Sequence, residues 1–299
     1  MRIYSTGKVV EDFYVLGDDV VPVYLLDGPE PVLFDAGYTA YARLYAKDII
    51  NILNGRSPSY LFLTHAHFDH IGAASYFKSI WPDMQIAGAE HMREIIVRPH
   101  AIQLIKALNK DVADKLRLLN PSLLYDVPFE PFELDFTFNT DQSFKLSSNC
   151  CIKTIYSPGH TRDFTCYWVP EKKILIASEA AGSIDITGYI FTEFIVDYEV
   201  YFNRLKDFLK LGIEILCPGH NLVLTGADVD EHLRNSIEQA GNFVEMVKNL
   251  LKTEHGDIDR VVTLVKAYEW DQKPWPKQPE SAYLLNIRAR VNKIRESMH

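Results

Sequence analysis

The chain has 299 residues, 47% of them hydrophobic, with a formal net charge of −9 and a pI near 5.6. That length supports one substantial core with an appended subdomain, and the negative balance argues against nucleic acid as a partner, because phosphate backbones are repelled. The opening residues hold no apolar run of signal-peptide length and no segment approaches the ~20 apolar residues of a membrane helix, so a cytoplasmic protein acting on a small molecule, away from membranes, is expected. The four cysteines, Cys150, Cys151, Cys166 and Cys217, form no C-x-x-C pair. They read as reduced, mostly buried thiols acting as small hydrophobes, with Cys150 and Cys151 pointing to opposite faces of one strand.

Taken in order, residues 9–34 alternate in short apolar runs, and Asp27-Gly28 is a hairpin signal. An antiparallel meander is expected, ending at Asp35-Ala-Gly37. Read alone, Asp35 is a turn aspartate; a carboxylate there can also hold a neighbouring ring N–H or brace a loop backbone. Thr39 to Leu53 has apolar residues at helical spacing and closes at Asn54-Gly55. The apolar run Tyr60 to Leu63 reads as a buried strand. It leads into His65, His67, Asp69 and His70, placed on the loop at the strand's C-terminal end, where open α/β sheets keep their ligands. His65 and His67 are two apart, so on extended backbone both imidazoles point the same way and can grip one cation. Asp69 and His70, adjacent on a turn, can aim at a second point nearby. Imidazole suits zinc, iron, copper and nickel, and a carboxylate adds a hard oxygen.

Ala73 to Trp81 reads as a helix, Met84 to Ala87 as a short strand, and Ile102 to Leu119 as a helix. This strand–helix–strand rhythm points to an α/β architecture. The proline-broken stretch Tyr125 to Phe136 either shapes a substrate wall or fills a satellite core. Strand-like alternation runs from Phe144 to Tyr156 and ends in Ser157-Pro-Gly-His160-Thr-Arg-Asp163. Phe164 to Val169 and Lys173 to Ala177 form a hairpin ending at Ser178-Glu179-Ala180. The aromatics that follow, Tyr189, Phe191, Phe194 and Tyr198, are candidates for lining a pocket mouth. Val200 to Leu211 is an amphipathic helix, and Ile213 to Cys217 is a core strand ending in a second Pro-Gly-His, at His220. Both Pro-Gly-His turns follow a strand, as two equivalent corners of a pseudo-symmetric sandwich require. From Ala227 the chain turns helical, over Val229 to Leu251, Ile258 to Ala267 and Ser281 to Ile294, joined in part by the proline-rich Asp271 to Pro279. Residues 1–226 are therefore read as one domain and residues 227–299 as a helical extension packed on it. The extension either covers the site's edge or makes a homodimer contact. His232 and His255, which lie in it, read as surface histidines.

His65-x-His67-x-Asp69-His70 after a strand resembles the signature of the metallo-β-lactamase superfamily. Asp35-x-Gly37, Pro158-Gly-His160-Thr and Pro218-Gly-His220 resemble three more of its motifs, and together they span residues 35 to 220, about three-fifths of the chain. The resemblance implies an α+β fold, an αββα metallo-β-lactamase sandwich with the metal site at one edge. It implies a binuclear metal centre of one or two divalent ions, zinc first, with iron or manganese as alternatives. His65, His67 and His160 would hold the first ion, and Asp69, His70 and His220 the second. Asp35 would brace the metal loop without touching the metal. The chain departs from the family at Glu179, where an aspartate usually bridges the two metals. Glutamate keeps the charge but adds a methylene, so bridging requires the backbone to retreat; Asp185 and Asp197 are weaker substitutes.

The family resemblance further implies hydrolysis by metal-activated water, with Asp69 orienting the nucleophile or taking its proton. The Val-Pro-Val-Tyr-Leu-Leu strand, the motif spacing and the helical C-terminus resemble the thioesterase, lactonase and glyoxalase-II-like branch, including members like the quinolone-signal thioesterases. An ester or thioester of a small molecule is the expected substrate. Small-molecule phosphodiester hydrolysis is the alternative within the enzyme class. Flavin-linked oxygen or nitric oxide reduction is disfavoured, because members of that kind carry glutamate where His67 stands and append a flavin domain. A metal-poor binding or regulatory protein without turnover is the alternative outside it.

Overall fold

The computed structural model describes residues 2–3, 6–17, 20–120, 126–147, 150–221, 223–275 and 277–298. In chain order the strands of the first half are β1 (Arg2–Ile3), β2 (Gly7–Val10), β3 (Phe13–Gly17), β4 (Pro22–Leu26), β5 (Val32–Phe34), β6 (Tyr60–Phe62), β7 (Gln85–Ala89) and β8 (Phe136–Phe138). Between them lie helices α1 (Ala42–Ile52), α2 (Phe68–Ile71), α3 (Ala74–Ile80), α4 (Glu90–Ile95) and α5 (Pro99–Leu119). The second half holds β9 (Ser143–Lys145), β10 (Cys151–Tyr156), β11 (Thr165–Val169), β12 (Ile174–Ile176), β13 (Ser183–Ile184), β14 (Ile190–Phe191), α6 (Tyr198–Phe208), β15 (Ile215–Cys217) and β16 (Val223–Thr225). Helices α7 (Ala227–Thr253), α8 (Ile258–Lys266) and α9 (Glu280–Glu296) complete it, with a π-turn at Ala267–Asp271 after α8.

Among the described residues the strands make two seven-stranded sheets, β2-β3-β4-β5-β6-β7-β8 and β1-β16-β15-β12-β11-β10-β9, and a β13-β14 ribbon. The first sheet opens with the antiparallel meander β2 to β5 and turns parallel from β5 onward. Strands β4, β5, β11, β12 and β15 are buried at every position, so they read as continuous apolar runs rather than alternating ones. Three apolar clusters follow from this layering. One lies between the sheets, where Phe34, Phe62, Phe138 and Tyr167 meet. One joins the first sheet to α1, α3 and α5. The last joins the second sheet to α6, α7, α8 and α9. This is helix–sheet–sheet–helix, the αββα sandwich. Asp197 and Asp257 cap α6 and α8 by accepting the N–H of Val200 and Arg260 at 2.9 and 3.0 Å.

Two registers decide where the polar residues meet. Phe34 pairs with Phe62 in parallel, which sets Asp35 beside the strand exit at Thr64. Ile176 pairs with Cys217 in parallel, which sets Glu179 beside His220, each three residues further on.

Several expectations change. The stretch 144–156 holds two strands, β9 paired antiparallel with β10, and Ser148 and Asn149 lie outside the described residues. Both Pro-Gly-His turns leave strands of the same sheet, β10 and β15, so they are not equivalent corners of two sheets. Phe129, Phe132 and Leu134 fill the core beneath α5, while Tyr125 lies outside the described residues. His232 is buried at 3% exposure, because α7 lies flat on the turn after β12; His255 is exposed. The cysteines are free, with Cys166 and Cys217 buried and Cys150 and Cys151 partly so. No described helix is long and apolar enough to cross a membrane.

Candidate metal centre

The residues singled out at 65, 67, 69, 70, 160, 179 and 220 come together at one edge of the sandwich, each just past the C-terminal end of a strand. Asp69 and His70 sit in the one-turn helix α2 rather than on an open turn. Their ligand-type atoms fall into three groups, each mutually within 4.8 Å: His65, His67 and His160; His65, His70 and Glu179; Asp69, His70 and His220.

The hydrogen bonds fix most of the tautomers. The Thr64 hydroxyl donates to Asp35 Oδ2 at 2.9 Å, so it accepts from His65 Nδ1 at 3.0 Å. That leaves His65 Nε2 without a proton, and it is buried with no hydrogen-bond partner. His160 Nδ1–H donates to the Glu193 carbonyl at 2.5 Å, leaving Nε2 bare and 3.2 Å from His67 Nδ1. Burial pushes His67 down to about 4 and, with His67 beside it, His160 down to about 3. Burial and the His70 charge hold His65 well below the usual imidazole range. This trio is therefore neutral at pH 7, as metal ligation requires.

The other side is charged. His70 Nδ1–H donates to Asp35 Oδ2 at 2.8 Å, and its Nε2 faces Glu179 Oε1 at 3.0 Å. His220 Nδ1–H donates to the Val20 carbonyl at 3.0 Å, and its Nε2 lies 2.9 Å from Glu179 Oε1 and 3.6 Å from Asp69 Oδ2. Burial opposes charging both rings, but the carboxylates win: Glu179, Asp35 and Asp69 hold His70 well above the usual range, and Glu179 raises His220. Glu179 itself, despite burial, is held well below its usual range by His70 and His65.

Glycine makes room for the long carboxylate. A Cβ at Gly219 would stand 2.4 Å from Glu179 Oε1, and one at Gly159 would stand 2.7 Å from the Cβ of Tyr201. Each Pro-Gly-His turn needs its glycine for close approach, the second to seat Glu179. Ser178, Asp35 and Asn221 adopt left-handed φ values of 48°, 60° and 71° beside the site. The Ser178 hydroxyl donates to Glu179 Oε2 at 2.7 Å, and the Tyr201 hydroxyl to the Glu179 carbonyl at 2.8 Å.

A surrounding layer holds these residues still. Asp35 Oδ1 accepts the Thr64 N–H at 2.7 Å, so this carboxylate both braces the loop and orients His70. Asp163 accepts the Ala66 N–H at 2.7 Å. Tyr24 donates to the Pro218 carbonyl at 2.6 Å, tying the second turn to the opposite sheet. His232 Nε2 lies 3.0 and 3.1 Å from the Ala181 and Gly182 carbonyls, anchoring the Glu179 turn to α7. Asp163 stands in the Ser157 to Asp163 turn with no spacing that marks its role, and Thr64 and His232 carry no periodic or spacing signal.

A cleft opens beside Asp69 and His220, lined by Ile184, Phe191 and Glu193 and, across from them, by Glu269, Trp270 and Lys277 of the C-terminal segment. The extension thus forms one wall of the cleft. Of the four aromatics placed at the mouth, Phe191 lines it. Phe194 is wholly buried against Tyr198, Tyr201 and Phe243, because α7 draws it into the core, and the partly buried Tyr198 stacks on Phe202. Tyr189 stands behind the wall, donating to Glu269 at 3.0 Å. Neither weaker substitute for Glu179 joins the cluster. Asp185 closes its own loop, accepting from Thr187 and Tyr189, and Asp197 caps α6.

The comparisons with known proteins agree with this geometry. The family model described as metallo-beta-lactamase superfamily matches residues 16–220. The chain belongs to the metallo-beta-lactamase superfamily. It is 22% identical over 181 residues to an atrochrysone carboxyl ACP thioesterase of Aspergillus fumigatus, covering 60% of this chain but 42% of that protein. It is 23% identical over 278 residues to the beta-lactamase-like protein 2 homolog of Caenorhabditis elegans, covering 91% of this chain and 77% of the other. A metallo-beta-lactamase family protein from Thermus thermophilus superposes with a TM-score of 0.66 at 17% identity, over 97% of this chain and 95% of its own. At such identities the structural likeness speaks for the fold alone.

Proposed function

We propose that the chain is a metal-dependent hydrolase that cleaves an ester or thioester of a small molecule. One observation carries the reading: His65 Nε2 is buried, bare of its proton and without a hydrogen-bond partner, within a trio of neutral imidazoles. A buried polar atom left unsatisfied costs stability unless something absent from the chain completes it. A divalent cation fits that donor set. His65, His67 and His160 would hold one ion, Asp69, His70 and His220 a second, with Glu179 in reach of both groups. Imidazole with carboxylate suits zinc first, and also iron or manganese. Such an ion supplies Lewis acidity and brings the pKa of water toward neutrality.

The chain's own residues do the rest. Asp69, at the cleft wall, orients the attacking water and accepts its proton. Asp35 holds His70 in the tautomer that presents Nε2 to the site. The apolar wall of Ile184 and Phe191 desolvates the acyl group. The Cys166 thiol does not compete as nucleophile, because burial pushes it up to about 12. The thioester bond is favoured because the Aspergillus fumigatus relative is named as an ACP thioesterase. Metal analysis with an acyl thioester, a lactone and a chromogenic phosphodiester tests the reading. Bound metal with thioester or lactone turnover supports it. Phosphodiester turnover alone gives the alternative chemistry, and a metal-free, inactive protein from supplemented medium gives the binding-protein alternative.

A further inference from the structure

Of the cations that line the cleft beside the metal centre, all but one are answered. Glu269 receives Arg290 at 2.9 and 3.3 Å. Asp185 is met by Lys273 at 3.1 Å, and Lys273 also donates to the Thr187 hydroxyl at 2.8 Å, so this lysine staples the C-terminal segment to the β13-β14 ribbon. Asp69 faces His220 at 3.6 Å.

Lys277 is the exception. Among the described residues no carboxylate lies within the 4.0 Å ion-pair distance of its Nζ. Its ammonium sits 3.6 Å from the centre of the Trp270 ring and donates to the Trp270 carbonyl at 2.8 Å. The ring is itself fixed, its Nε1–H donating to the Gln278 carbonyl at 2.9 Å. A ring and a carbonyl hold the ammonium in place without cancelling its charge. A free surface lysine loses considerable rotamer freedom on binding an anion; one already clamped loses less. The chain as a whole is strongly negative, so an uncompensated cation at the cleft counters a general repulsion of anions.

We infer that Lys277 is an anion subsite: the substrate of this hydrolase carries a carboxylate or phosphate on the part that reaches the cleft mouth. The inference rests on the hydrolase reading and adds the substrate class. A carboxylate would sit on the acyl side and a phosphate on the leaving thiol, and the two sources are separable.

The test compares three thioesters on the metal-loaded, full-length protein: butyryl-N-acetylcysteamine, which is neutral; glutaryl-N-acetylcysteamine, with a carboxylate on the acyl group; and butyryl-4′-phosphopantetheine, with a phosphate on the thiol. For Lys277→Met, the ratio of kcat/KM for one anionic thioester to that for the neutral one should fall about tenfold or more, the scale of one charge-assisted hydrogen bond. Metal content should stay at the wild-type level, and Lys277→Arg should recover part of the ratio. Equal losses on all three thioesters, an unchanged ratio, or loss of metal would overturn the inference. Calorimetric titration with glutarate, 4′-phosphopantetheine and butyrate keeps the test independent of turnover. Anion binding that weakens in Lys277→Met supports the subsite even if no thioester is cleaved, in which case the hydrolase reading falls alone. Anion binding indifferent to Lys277 removes the subsite and leaves the hydrolase reading standing.

Discussion

Two buried polar clusters lie either side of the same cleft, and they are built differently. In the C-terminal layer Glu269 is fully buried and Arg290 is 1% exposed. Each Glu269 oxygen takes one Arg290 nitrogen and one tyrosine hydroxyl, from Tyr189 at 3.0 Å or Tyr283 at 3.1 Å, and the guanidinium lies 3.6 Å from the centre of the Phe243 ring. The carboxylate needs nothing more. The histidine cluster is largely buried, with His67 and His220 partly exposed, yet His65 Nε2 has no hydrogen-bond partner, Glu179 Oε2 standing 3.6 Å away, and the bare His160 Nε2 faces another imidazole. Burial of charge therefore does not separate the two; the difference is that bare imidazole nitrogens converge on one another in the second. The first network holds α9 and the π-turn in place, and the second is the group proposed to hold metal.

The sharpest way to break the contrast is His67→Ala. It should abolish hydrolysis and remove metal from the His65/His67/His160 group, while circular dichroism and thermal unfolding stay close to wild type; retained turnover would dismiss that group. Arg290→Met should do the reverse, costing about 3–5 kcal/mol in urea unfolding because Glu269 is left buried and unpaired, with metal content retained in the folded fraction. A cost near zero would mean that the C-terminal layer relaxes around the lost charge. Next in size, Asp35→Asn should weaken metal affinity about 10–100-fold by freeing His70 to turn, as removal of a ligand's orienting partner does elsewhere. Competition with a chromogenic chelator measures it, and unchanged affinity would reduce Asp35 to a loop brace.

The gentlest test is pH. Without metal, His67 and His160 titrate at about 4 and about 3, below the ~6.5 of an unfolded histidine. The unfolded chain takes up those protons first, so stability should drop as pH falls from about 6.5 toward about 4. His70 and His220 are raised, so their contribution is complete below about 6.5 and is lost as pH rises through their folded values. Thermal unfolding of the metal-free protein should therefore peak between the two windows. Metal should bind the neutral trio at lower pH than the Asp69/His70/His220 group, whose protons must leave first. A single pH midpoint for both ions would erase the distinction.

Local sequence already held the histidine pattern, the meander, the strand ends and most helices, because each rests on spacings of two to four residues. His65 and His67 share a direction through strand geometry, and the two Pro-Gly-His turns announce their own bends. It also flagged Glu179, though not the space at Gly219 that admits the longer side chain, which depends on the β12–β15 register. Tertiary packing alone decided that Phe194 goes to the core while Phe191 meets the cleft, that His232 is buried beneath the Glu179 turn, and that the segment from Glu269 to Pro279 forms the facing wall. The physical reason is range. A ligand pattern is written in neighbouring residues, whereas a cleft is made by surfaces from opposite ends of the chain, and no short stretch encodes which side chains will face each other across it.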